Sequence, residues 1–144
     1  MEKREKMVEE VAEIVHEDLR RSYGNKPHIR ATKDETWIKK YDTDQIDLGS
    51  FNYSQLPLDW QNERKTGAQI AVDAVLEAEK NNELLDNEFI ERVSLALHFR
   101  WLDRNYNRAT DTQKSSYAEL SEKEKEKDRI FVRTAIKIYK QASN

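Results

Sequence analysis

Apolar residues recur at helical spacing in four separate runs, and the first and third runs are built alike. Val8, Val11, Ala12, Val15 and Leu19 stand at i, i+3, i+4, i+7 and i+11, one stripe widened by Met7 and Ile14. They predict a helix from about Glu5 to Tyr23, with Gly24 as its C-terminal stop. A second helix is expected from near Pro57, a good first-turn residue, to about Lys80, with Trp60, Arg64, Ala68, Ala71, Val75 and Ala78 along one side. The third starts near Asp86 as N-cap and runs to about Tyr106, with Phe89, Val93, Ala96, Leu97 and Trp101 inward. The fourth opens on a capping-box pattern, Ser121 with Glu124, and carries Phe131, Ala135, Ile138 and Tyr139 on its apolar face.

Between the first two helices, residues 24–52 follow no period. They nonetheless hold Ile29, Trp37, Ile38, Tyr41, Ile46, Leu48 and Phe51, too many large apolar groups for a free linker. This segment is expected to fold back on the helices, with a short hairpin within it.

The chain reads as a duplicated helix–loop–helix unit. An offset of 82 overlays Val11 on Val93, Val15 on Leu97, His16 on His98 and Leu19 on Trp101. An offset of 64 overlays Tyr53 on Tyr117, Leu56 on Leu120, Ala71 on Ala135 and Val72 on Ile136. The 18-residue difference between the offsets is an insertion in the first copy. The expected architecture is therefore mainly α, a single domain over 1–144 with pseudo-two-fold symmetry. The first copy covers 1–80 with its insertion at 25–50, the second covers 81–144, and short β-strands are confined to the connections. Halves of this size form marginal cores alone, which favours one core shared across the seam.

Composition narrows the function. Charged residues make up 37% of the chain, and three Gly and two Pro suit long helices better than a turn-rich barrel. A net charge of −3 gives no general drive toward nucleic acid or an anionic membrane. The absence of cysteine excludes disulfides and thiolate metal sites and is compatible with a reducing cytoplasm. No apolar stretch approaches the roughly 18 residues of a membrane helix, and MEKREKMVEE lacks the apolar core of a secretory leader.

Three clusters are candidates for binding chemistry. His16 and His98 lie beside the apolar stripes, where each can satisfy a backbone carbonyl or orient a ligand at the seam. Arg100, Trp101, Arg104, Tyr106 and Arg108 interleave guanidiniums with aromatic rings, and Arg20, Arg21 and Tyr23 hold the equivalent end of the first copy. Guanidiniums bind oxyanions bidentately and rings stack on bases, although Trp101 also falls on the core stripe. Trp60, Asn62, Arg64 and Lys65 form the third cluster; Arg64 can enter a cleft or snorkel over apolar surface. Charges alternating from Glu122 to Arg129 read as a solvated helix start rather than a site.

No catalytic or metal constellation is legible. Gly24, Gly49 and Gly67 are too far apart for a phosphate loop. Glu13-x-x-His16 is not repeated, because Leu95 stands where its second copy needs a glutamate. No resident cofactor or metal is expected.

With His16-Glu17-Asp18-Leu19, Tyr23-Gly24 and Tyr53-x-x-Leu56 in one copy, and His98-x-x-Trp101, Tyr106, Tyr117-x-x-Leu120 and Asp128-Arg129 in the other, the sequence resembles the ryanodine-receptor (RyR) repeat family, including its small bacterial and phage members. Leu56-Pro57-Leu58-Asp59-Trp60-Gln61 is similar to a segment of the phage-type members. The first copy lacks the tryptophan, and the second lacks the glutamate and the glycine. The resemblance implies a pseudo-symmetric helical module, without catalysis, that holds an adenine nucleotide or a related phosphate-bearing ligand between its copies. Arg20, Arg21, Arg100 and Arg104 are the expected phosphate ligands, with Tyr23, Tyr106 or Trp60 stacking, His16 and His98 orienting, and Arg64 and Trp101 nearby. The alternative expectation is a regulatory module that docks a protein partner or self-associates.

Overall fold

The computed structural model describes residues 2–143. Five α-helices and one two-stranded sheet account for its regular structure: α1 (Lys3–Tyr23), β1 (Ile29–Ala31), α2 (Glu35–Tyr41), β2 (Gln45–Asp47), α3 (Leu58–Lys80), α4 (Asn87–Asn105) and α5 (Glu122–Ala142), with single 3-10 turns between them. The fold is mainly helical, as the apolar periodicity predicts, and no described helix is long and apolar enough to cross a membrane.

Helix α1 buries Met7, Val8, Val11, Ala12, Val15, His16 and Leu19, the predicted stripe with one histidine in it. It ends at Gly24, whose φ of 62° and ψ of −133° suit a residue without a side chain. Asp86 caps α4 by accepting from Phe89 N. Ser121 accepts from Glu124 N at 3.2 Å to cap α5. The reciprocal half of that capping box does not form, because the Glu124 carboxylate turns to Lys127 Nζ at 3.1 Å. A complete box stands instead at Asn52–Gln55.

The insertion is folded, and its strands pair antiparallel, with Arg30 opposite Ile46. They are not joined by a tight turn, because α2 lies between them. Two acids lock this unit to the start of α3. Asp34 Oδ1 accepts from Trp37 N and its Oδ2 from Leu58 N at 2.9 Å, so one side chain caps α2 and α3 together. Asp59 answers by accepting from Thr32 Oγ1 at 2.7 Å and Lys33 N at 2.9 Å. Beneath them Ile46 and Leu48 are fully buried, and Trp37 packs against Tyr41 and Phe51.

The four long helices share one core. The helices α3 and α5 pack on each other in the middle, and each also contacts both α1 and α4. The contact pattern is the same when the halves are exchanged, and individual bonds repeat at the two offsets. His16 Nε2 donates to Phe51 O at 2.8 Å, and His98 Nε2 to Ser115 O at 2.9 Å. Tyr53 donates to Glu9, which also meets Lys65 Nζ at 2.7 Å. In the second half Tyr117 donates to Glu91 at 2.8 Å, which also accepts from Arg129 Nε at 2.9 Å. Glu9 with Glu91 obeys the offset of 82, while Tyr53 with Tyr117 and Lys65 with Arg129 obey that of 64. A carboxylate, a phenol and a cation thus tie each 3-10 turn to its two helices.

A cleft at the seam of the two halves

The seam is marked by a pair of equivalent residues in contact. A Cβ built on Gly67 would lie 2.7 Å from the Phe131 ring, and 131 is 67 displaced by the offset of 64. Glycine inside a helix costs about 0.5–1 kcal/mol relative to alanine; here it lets the Phe131 ring lie against the α3 backbone.

Beside this contact opens a cleft of about 560 Å³. Helix α3 lines it with Trp60, Glu63, Arg64 and Gly67, and α5 lines it with Glu124, Lys127, Asp128 and Phe131. These are the same four positions of the two copies, at i, i+3, i+4 and i+7, so one helical face repeats on both sides. The chemistry is inverted between them: Glu63 answers Lys127, and Arg64 answers Asp128. Helix α4 adds Leu97, His98, Trp101 and Arg104, and the insertion adds His28, Ile29, Arg30, Ala31, Gln45 and Leu48. Arg108, Thr110 and Gln113 close the rim. Five cationic side chains therefore face three acids.

In the first half Arg64 is held from behind. His16 is fully buried and its Nε2–H serves Phe51 O, so Nδ1 is left as an acceptor. Arg64 Nε donates to that Nδ1 at 3.2 Å, and Nη2 reaches Tyr23 OH at 3.3 Å. Burial, followed by the Arg64 charge, pushes the His16 imidazole down to about 4, so the ring stays neutral at pH 7. His28 stacks on Tyr23 with centroids 3.9 Å apart. Burial, then Arg30, lowers it likewise to about 4.

At the rim, Arg104 pairs with Glu63 through both carboxylate oxygens at 3.2 and 3.3 Å. Arg108 is fixed by Asn105 Oδ1 at 2.7 Å and lies over the Trp60 ring at 5.3 Å. Trp60 Nε1 donates to Ala31 O at 3.0 Å, which fixes the indole plane against the insertion. Trp101 stacks on His98, with centroids 6.5 Å apart and planes 15° from parallel. Asp128 makes no hydrogen bond or ion pair among the described residues. Burial, then the neighbouring Glu124, pushes its carboxyl up to about 7.

Of the residues read as site candidates, the fold gathers Tyr23, Trp60, Arg64, His98, Trp101, Arg104 and Arg108 on the cleft. The other seven do not line it. Asn62 is exposed, and Lys65 pairs with Glu9 at 2.7 Å. His16 lies behind Arg64 and acts through it. Arg20 turns to the insertion, donating to Gly49 O at 3.1 Å and to Glu17. Arg21, one residue further round the helix, pairs with Asp18 on the surface. Arg100 is exposed on α4 and does not line the cleft, and Tyr106 lies outside it with Lys114 over its ring at 4.6 Å. The charge run at the start of α5 is not simply a solvated surface, since Glu124, Lys127 and Asp128 face the cleft and Arg129 is clamped by Glu91 and Glu122.

Sequence reasoning also missed His28, Arg30, Glu63, Lys127 and Asp128. For the last three a signal existed: Glu63 lies on the same face of its helix as Trp60 and Arg64, and carrying Glu63 and Arg64 forward by 64 residues lands on Lys127 and Asp128. For His28 and Arg30 no local signal exists, because the sheet that places them is fixed by distant residues, Asp47 at the end of β2 and Asp59 on α3. Asp47 Oδ1 accepts from His28 N at 3.0 Å. Among the described residues no three His, Asp or Glu side chains gather to hold a metal ion. Comparison with family models, with curated proteins and with solved structures finds no match.

Proposed function

We propose that the chain is a non-catalytic binding module of RyR-repeat type that holds a small nucleotide-like ligand between its two halves. The observation that carries this reading is the seam cleft, where Arg64, Arg104 and Arg108 converge with the Trp60 and Trp101 rings. Guanidiniums already oriented by His16, Glu63 and Asn105 lose little freedom when they take up a phosphate. Indole faces accept a base by stacking, worth about 1–3 kcal/mol per base. A cleft of about 560 Å³ is within the size range of small-molecule sites, about 300–1,000 Å³. A nucleotide ligand suits a cytoplasmic setting.

Calorimetric titration with adenine and guanine mononucleotides and cyclic dinucleotides tests the reading. At least one is expected to bind, and Arg64→Ala/Arg104→Ala to weaken it by about tenfold or more, with the melting temperature checked alongside. No heat with any nucleotide, or unchanged binding by a folded double variant, would overturn it.

A second reading, docking of a protein or of another copy, is favoured by the outer face of α4. Leu95, Phe99 and Tyr106 are 52%, 69% and 56% exposed, and with Leu102 they repeat at i, i+4, i+7 and i+11. The equivalent α1 positions are Glu13, Glu17, Arg20 and Gly24, so the stripe belongs to the second half alone. If this face self-associates, sedimentation velocity will show a concentration-dependent dimer that Phe99→Glu dissolves. A wild-type monomer across the concentration range contradicts it.

A further inference from the structure

The two halves of the cleft differ at one bond. In the first half a guanidinium, Arg64, donates to the Nδ1 of the buried histidine at 3.2 Å. In the second half the equivalent histidine, His98, is fixed in the same way, with Nε2–H on Ser115 O at 2.9 Å, so its Nδ1 is likewise an acceptor. The residue equivalent to Arg64 is Asp128, whose carboxylate only accepts once it is ionised, at about pH 8 and above. Both His98 and Asp128 line the cleft, and Asp128 has no partner among the described residues. The other acids there are already engaged, Glu63 by Arg104 and Glu124 by Lys127. The second half thus presents acceptors where the first presents a donor–acceptor pair.

We propose that the ligand supplies these missing donors, and that the group seated against Asp128 and His98 is the N–H edge of a guanine base. The inference rests on the nucleotide reading above and names its base. Guanine offers N1–H and N2–H side by side, which one carboxylate accepts bidentately, as it would a guanidinium. Adenine sets an acceptor, N1, beside its amino group, and that lone pair opposes the carboxylate. A site built to accept from two N–H groups rejects the analogue that lacks them more strongly than any apolar pocket discriminates by size. Asp128 also stands at a position where burial raises the cost of its charge, a cost that donors from a ligand offset. Arg104 and Arg108 then remain for the phosphate.

Calorimetry at pH 8, where the Asp128 carboxylate is ionised, with GMP, IMP and AMP on wild-type protein and on Asp128→Asn tests this. Wild type is expected to bind GMP about tenfold or more tighter than AMP, with IMP, which lacks the 2-amino group, between them. Asp128→Asn is expected to bring the three within about threefold. Asp128 has no partner to lose, so the variant should fold, and its melting curve verifies that. AMP binding as tightly as GMP, or an unchanged ranking in Asp128→Asn, overturns the inference while leaving the nucleotide reading intact. Agmatine, a guanidinium without base or phosphate, separates the opposite failure. If it binds wild type but not Asp128→Asn while no nucleotide binds, the donor-seeking site stands, but the guanine assignment and the nucleotide reading both fall.

Discussion

Replacing His16 by alanine is expected to lower the unfolding free energy by about 2–4 kcal/mol, more than the same change at its repeat equivalent His98. The ring is fully buried in the helical core and makes two bonds, donating to Phe51 O at 2.8 Å and accepting from Arg64 at 3.2 Å. Alanine leaves a cavity, an unsatisfied carbonyl and an arginine without its support. An unsatisfied buried polar group alone costs about 1–3 kcal/mol, and unfilled core volume adds to it. His98 makes only the Ser115 bond and opens on the cleft, where water can replace the ring. About 1–2 kcal/mol is expected there. Urea unfolding with an unchanged m-value measures both, and a loss below about 1 kcal/mol for His16→Ala would contradict the positioning role. The same variant should also weaken whatever ligand Arg64 holds, because the guanidinium loses the acceptor that aims it.

The second large effect is with pH. His16 is pushed down to about 4 by burial, against about 6.5 in the unfolded chain. Below 6.5 the unfolded state takes up a proton that the folded state refuses. The stability from this group is therefore complete above about 6.5 and is lost as pH falls toward and through about 4, amounting to about 3 kcal/mol. His28 is lowered to about 4 and acts in the same direction, but less, because it sits at the solvated cleft wall. Asp128 opposes them. Its folded value of about 7 lies above its unfolded 3.8, so its contribution is complete below about 4 and is lost as pH rises through about 7. Over pH 7.5 to pH 4.5 these contributions oppose one another, and the variants separate them. Relative to wild type, the urea midpoint of Asp128→Asn should fall more with acid and that of His16→Ala should fall less. The wild-type pH dependence in both variants would contradict the assignment.

The four long helices were legible because each buries a single face. Val8 to Leu19 and Phe89 to Trp101 announce themselves by spacing, and their ends carry Gly24, Asp86 and Ser121. The sheet was not legible in position. Its strands are three residues each, and what places them is the Asp34–Leu58 and Asp59–Lys33 bonds to α3, which no local pattern encodes. The same division runs through the site. The seam location follows from the internal overlay, and Arg64 and Trp60 follow from their turn of α3. Arg100 and Arg104 are indistinguishable by type and stand one turn apart on neighbouring positions of α4; only the approach of α3, which no local pattern encodes, gives Arg104 its partner Glu63 and leaves Arg100 exposed. Asp128 was hidden inside alternating charges. Its meaning depends on two non-local facts: that α5 packs on α3 through Phe131 and Gly67, and that its counterpart is an arginine.

If a nucleotide enters the seam cleft, as proposed, the tryptophans report on it directly. Trp60 and Trp101 line the cleft, while Trp37 is buried in the insertion against Tyr41 and Phe51. In ¹⁵N-labelled protein titrated with GMP, the account predicts that the Trp60 and Trp101 indole signals shift together and saturably while that of Trp37 holds. Three unmoved indoles at saturating nucleotide, or a shift confined to Trp37, would contradict it.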